Sequence, residues 1–120
     1  MNFVLDTNAV SETEKPRPNP GYVAWRDTQD RSHLFVTSIT LAEVWQGFYN
    51  LEPNHPDYHR IKAIAMELPR TYRVLNFDLR AAVIWGRLTA TSSALPLRDS
   101  IIGAIASSRG YLVVTRDVGP

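Results

Sequence analysis

Short apolar runs alternate along this chain with longer stretches in which apolar residues recur every three or four positions. Phe3-Val4-Leu5 is short, apolar and β-prone, and Asp6-Thr7-Asn8 stops it, which predicts a buried strand at the start of the chain. Ser11 to Pro20 is polar and carries prolines at 16, 18 and 20, so it reads as a loop after at most one helical turn. A short helix is predicted from Pro20 to about Asp30, with Pro20 in its first turn and Val23, Ala24 and Trp25 as its apolar contacts. Leu34 to Thr37 is the second strand. Thr40 to about Tyr49 is a helix, because Leu41, Val44, Trp45 and Phe48 fall on one face.

Pro53 and Pro56 mark a turn over Leu51 to Asp57. A helix from about Asp57 to Leu68 places Ile61, Ile64, Ala65 and Leu68 inward and is ended by Pro69. Val74-Leu75 is a short third strand. Asp78 has the chemistry of an N-cap for a helix to about Ala90, with Ala81, Ala82, Trp85 and Leu88 inward. A helix from Arg98 to Ser108 follows Pro96 and is closed by Gly110, and Tyr111 to Thr115 is the last strand. Strands alternating with helices predict an α/β fold, a small parallel sheet surrounded by helices.

Bulk properties narrow the possibilities. The 120 residues suit one domain spanning the chain, and 44% hydrophobic with 21% charged residues is ordinary for a globular protein. The absence of cysteine removes disulfides, thiolate metal sites and cysteine nucleophiles, and fits a reducing, cytoplasmic setting. The N-terminus has no basic lead and Asp6 interrupts its apolar run, so it does not read as a signal peptide. No apolar stretch approaches the roughly 18 residues that cross a bilayer. Net charge is +1, which by itself does not indicate a nucleic-acid binder. Arg17, Arg26, Arg60, Lys62, Arg70, Arg73, Arg87 and Arg109 are candidates for a basic surface once an acidic pocket is set apart. There is no GxGxxG, P-loop or nucleophile elbow.

The acids carry the chemistry. Asp6 follows the first strand, Glu43 lies in the first turn of the helix leaving the second, Asp99 lies in the first turn of the helix leading to the last, and Asp117 follows the last strand. In a parallel β–α alternation all four positions gather at the carboxyl edge of the sheet, where sites form. Like charges about 4 Å apart repel by roughly 4 kcal/mol at an effective dielectric near 20, so such a cluster calls for a cation. Oxygen donors without histidine or cysteine suit Mg²⁺ or Mn²⁺, and metal-assisted phosphodiester cleavage is the expected chemistry. Thr7, Asn8, Ser38 and Thr115 are polar neighbours able to orient ligands or waters, and Arg116 is placed to contact a phosphate or to pair with Asp117 or Asp99. Plainer readings stand beside these. Thr40 to Glu43 fits a capping box, Asp99 a dipole partner, and Asp6 and Asp117 turn residues. His33, His55 and His59 read as surface residues, and Trp25, Trp45 and Trp85 as core or interface.

Val4-Leu5-Asp6-Thr7-Asn8, Ser38 to Val44 with Gly47, Leu95 to Ala104 and Leu112 to Asp117 together resemble, in order, the acidic motifs of the PIN-domain ribonucleases, specifically the VapC-type toxins of toxin–antitoxin modules. The resemblance implies a PIN-like fold and Mg²⁺- or Mn²⁺-dependent cleavage of RNA. It also implies a homodimer and neutralisation by a cognate antitoxin that inserts a segment into the toxin groove. It carries Asp6, Glu43 and Asp99 over as metal ligands, Asp117 as a weaker fourth and Thr115 as a supporting hydroxyl. The family usually continues past the fourth motif, so this chain is expected to be short at its C-terminal end. Two alternatives are kept: a non-catalytic PIN-like scaffold binding a protein or RNA, and a receiver- or phosphatase-like domain using Asp6 as phosphate acceptor. The second lacks a further acid at position 8 or a lysine beyond Lys62.

Overall fold

Period-two alternation in the strands divides the core between two layers. The computed structural model describes residues 1–92 and 94–115. Four parallel strands, β1 (Phe3–Leu5), β2 (Leu34–Thr37), β3 (Arg73–Leu75) and β4 (Leu112–Val114), stand in the order β3-β2-β1-β4. Phe3 is in register with both Leu34 and Leu112, and Val36 with Val74. Leu5, Leu34, Val36 and Val114 pack on one face with Ala9, Val10, Tyr22 and Leu68. Val4, Phe35 and Leu75 pack on the other with Ala81, Ile102, Ile105 and Ala106. Among the described residues, six α-helices supply these layers: α1 (Thr7–Glu12), α2 (Pro20–Asp27), α3 (Ser38–Tyr49), α4 (Tyr58–Thr71), α5 (Leu79–Thr91) and α6 (Leu97–Arg109). The α/β fold expected from the alternation is therefore the one observed.

Several boundaries move, each for a physical reason. Asp6 is not only the end of a strand. Its carboxylate caps α1 by accepting from Ala9 N at 2.8 Å, and the helical turn expected before Ser11 runs on to Glu12, two residues into the expected loop. The Pro20 helix is shorter than predicted and is followed by a 3₁₀ turn over Arg31–His33. Thr37, rather than Thr40, caps α3, with its hydroxyl accepting from Thr40 N at 3.2 Å. Glu43 is consequently in the second turn, and the capping-box reading of Thr40 and Glu43 falls. Pro69 lies inside α4 instead of ending it. Only the final turn follows it, where the Thr71 hydroxyl and Tyr72 N–H take up the Glu67 and Leu68 carbonyls. Leu88 is 38% exposed, not inward, so α5 presents a second apolar face to solvent.

Candidate active site

Backbone geometry fixes the first acid. Asp6 N–H donates to Val114 O at 3.0 Å, which ties the end of β1 to the end of β4. The chain turns from one side of β1 to the other between these strands, which opens a crevice at the carboxyl edge. Asp6 sits in that crevice, half-buried. Its carboxyl is raised above the usual carboxylate range, first by burial and then by the negative charges of Asp99 and Glu43, against the lowering effect of the Ala9 and Asn8 N–H groups. Asp6, Asp99 and Glu43, from three distant segments, thus share one electrostatic neighbourhood.

Glu43 is held by a hydroxyl and approached by a guanidinium. Thr7 Oγ1 lies 2.9 Å from Glu43 Oε1 and 3.1 Å from Thr40 Oγ1. A hydroxyl carries one proton and an ionised carboxylate only accepts, so Thr7 donates to Glu43 and takes the proton of Thr40. Thr40 is fully buried beneath this pair. From the other side Arg98 Nη1 reaches Glu43 Oε2 at 3.4 Å. Asp99 is exposed in the first turn of α6, where the helix dipole favours its charge. The start of α6 is braced by Trp85 Nε1, which donates to Ser100 Oγ at 3.0 Å, while the Ser100 hydroxyl donates to Leu97 O at 2.7 Å.

Asn8 is exposed beside Asp6, Ser38 opens α3 and Thr115 is half-buried just past β4, all at the same edge of the sheet. Arg116 and Asp117 lie outside the described residues. Arg26, Arg60, Arg70 and Arg109, candidates for a free basic surface, each stand in an ion pair, with Asp27, Asp57, Glu67 and Asp78 respectively. His33, His55 and His59 are exposed. Thr40, Ser100, Trp85 and Arg98 contact or brace these groups, although the sequence marks Thr40 only as a helix cap and Trp85 only as core or interface, and gives Ser100 and Arg98 no part in the site. The one available signal was Arg98 directly before an acid at a helix start.

Among the described residues no three carboxylate or imidazole groups are gathered tightly enough to hold one ion as they stand. The donor chemistry nevertheless fits a hard divalent cation. It is all oxygen, and Mg²⁺ retains several waters and takes only one or two carboxylates directly. The burial and mutual repulsion that keep Asp6 hard to ionise are the conditions a cation relieves.

The profile of the PIN domain matches residues 3–119. The plasmid stability protein StbB of Pseudomonas syringae pv. tomato is 35% identical over 98% of this chain and 89% of its own length. The VapC ribonuclease Y4jK of Sinorhizobium fredii is 32% identical over 98% and 89%. The toxin FitB of Neisseria gonorrhoeae is 29% identical over 98% and 88%. The crystal structure of FitAcB from that organism superposes with a TM-score of 0.81 at 29% identity, covering 98% of this chain and 88% of the other.

Proposed function

We propose, from the premise that the chain belongs to the PIN-domain family, that it is a metal-dependent endoribonuclease and the toxin of a toxin–antitoxin pair. The observation that carries this reading is that Asp6, Glu43 and Asp99, from three distant segments, stand at the carboxyl edge of one parallel sheet, with Thr7 beside Asp6 bonded to Glu43 at 2.9 Å. The ribonuclease and toxin names of the relatives support it. Asp6, Glu43 and Asp99, with Asp117 as a further acid, would hold Mg²⁺ or Mn²⁺, one or two of them directly and the others through its waters. The bound ion would neutralise charge at phosphorus and make a water more acidic.

The chain's own residues do the positioning. The α1 cap orients the Asp6 carboxylate. Thr7, backed by buried Thr40, holds the Glu43 carboxylate at the crevice through a 2.9 Å hydrogen bond. Trp85 and Ser100 fix the first turn of α6 and with it Asp99. An antitoxin segment has a place to lie. A cleft of 320 Å³ between α1, α3 and α4 has Val10, Val44, Ile61 and Ile64 on its floor, Lys15 and Arg60 on its rim, and Thr7 and Glu43 at one end. Exposed Leu79 and Val83 on α5, with Leu95 and Leu97 nearby in sequence, suit burial against a second copy.

Cleavage of a labelled single-stranded RNA tests the reading. The wild-type protein, freed of any partner, is expected to cut in Mn²⁺ and to stop in EDTA. Asp99→Asn is expected to lose on the order of a hundredfold or more in rate with an unchanged circular dichroism spectrum. Equal cleavage by the variant would contradict the assignment.

A further inference from the structure

Arg98 stands in an unusual position. It directly precedes Asp99 in the first turn of α6, yet its guanidinium reaches across to Glu43 Oε2 at 3.4 Å. The contact is long, and the Arg98 side chain is 56% exposed. An exposed pair of this kind holds its partner weakly, so the guanidinium is not committed to Glu43. Arg98 also lines a cleft of 330 Å³ that runs from Glu43 between α3 and α6, with Ile39, Gln46, Leu97 and Ile101. That cleft combines apolar side chains, an amide, the Arg98 cation and the Glu43 carboxylate, and Glu43 is the residue it shares with the acidic crevice.

Three carboxylates around a site for a polyanion pose an electrostatic problem, because they repel the phosphates the site must admit. A guanidinium at the lip answers it. Its planar fork matches two phosphate oxygens, and it cannot lose its charge at any working pH. Exchanging one weak carboxylate contact for a phosphate costs little. We propose that Arg98 is the substrate-binding residue that clamps a backbone phosphate beside the scissile one and leads the RNA strand into the α3–α6 cleft. This rests on the ribonuclease reading above.

The test is equilibrium binding of a fluorescein-labelled single-stranded RNA, followed by anisotropy across a salt series in EDTA. The Asp6→Asn protein serves as the parent, so that no cleavage occurs. Adding Arg98→Gln is expected to weaken binding roughly tenfold, the scale of a lost charge-assisted hydrogen-bonded pair. It should also make the plot of log K against log salt shallower by about 0.7, one phosphate contact on a single strand. Arg98→Lys keeps the charge and should restore the slope without the full affinity. Arg70→Gln, at the far end of α4, should change neither, since α4 runs toward the opposite edge of the sheet. A role limited to neutralising Glu43 would leave the slope of Arg98→Gln unchanged, and that result overturns the proposal. RNA neither bound by the parent nor cut by the wild type would instead overturn the ribonuclease reading, and this one with it.

Discussion

Asp6 performs two jobs with one carboxylate: it caps α1 and it belongs to an acidic crevice. The second job opposes folding. Burial, followed by the charges of Asp99 and Glu43, makes this carboxyl harder to ionise in the folded protein than in the unfolded chain. A group whose pKa is raised on folding stabilises most when protonated, and that contribution is lost as pH climbs through its folded range. Asn caps a helix about as well as Asp. In EDTA, Asp6→Asn should therefore melt above wild type at neutral pH, and the gap should close as pH falls toward the ordinary value of 3.8. Thermal melts across pH check this, and a lower melting point for the variant at pH 7 would be the wrong outcome. The position of Asp6 was legible because a carboxylate directly after a buried strand is locally visible. The link from Thr40 through Thr7 to Glu43 was not, since it joins residues 33 and 36 positions apart whose meeting depends on how α1 packs on α3.

Among the elements, those with strong local signals were read well. Leu34–Thr37 has the predicted limits, Asp78 caps α5 through Ala81 N at 3.0 Å, and Gly110 closes α6. Gly110 shows why such signals are dependable. It is left-handed at φ 71°, and an added Cβ would meet nothing within 4 Å. The penalty for Gly110→Ala is therefore conformational only, about 1 kcal/mol. A denaturant midpoint lowered by that amount with an unchanged slope is the expected result, and no change would remove the strain argument. Where competing local signals existed, packing decided between them. Thr37 and Thr40 are both plausible caps, and Thr40 is instead buried as part of the site. Pro69 reads as a terminator, but at the end of α4 it removes only one late hydrogen bond, and Leu68 beside it is held in the core. Spacing alone puts Leu88 inward, because it cannot tell a face that meets the sheet from one left to solvent.

At the scale of the whole molecule, the order β3-β2-β1-β4 brings separate motifs to one edge of the sheet. No single motif specifies it. Parallel strands send every following loop to one edge, so acids far apart in sequence arrive together with little help from local structure. That consequence of topology is why the placement of Asp6, Glu43 and Asp99 on one edge was legible before any coordinates, whereas the Arg98 contact with Glu43 was not. No helix among the described residues is long and apolar enough to cross a membrane. The central claim is that this crevice is built for a divalent cation. Calorimetric titration of Mn²⁺ into the partner-free protein tests it most directly. A saturable heat with wild type that disappears in Asp99→Asn is the predicted result, and binding of equal strength by both proteins, or none by either, would contradict it.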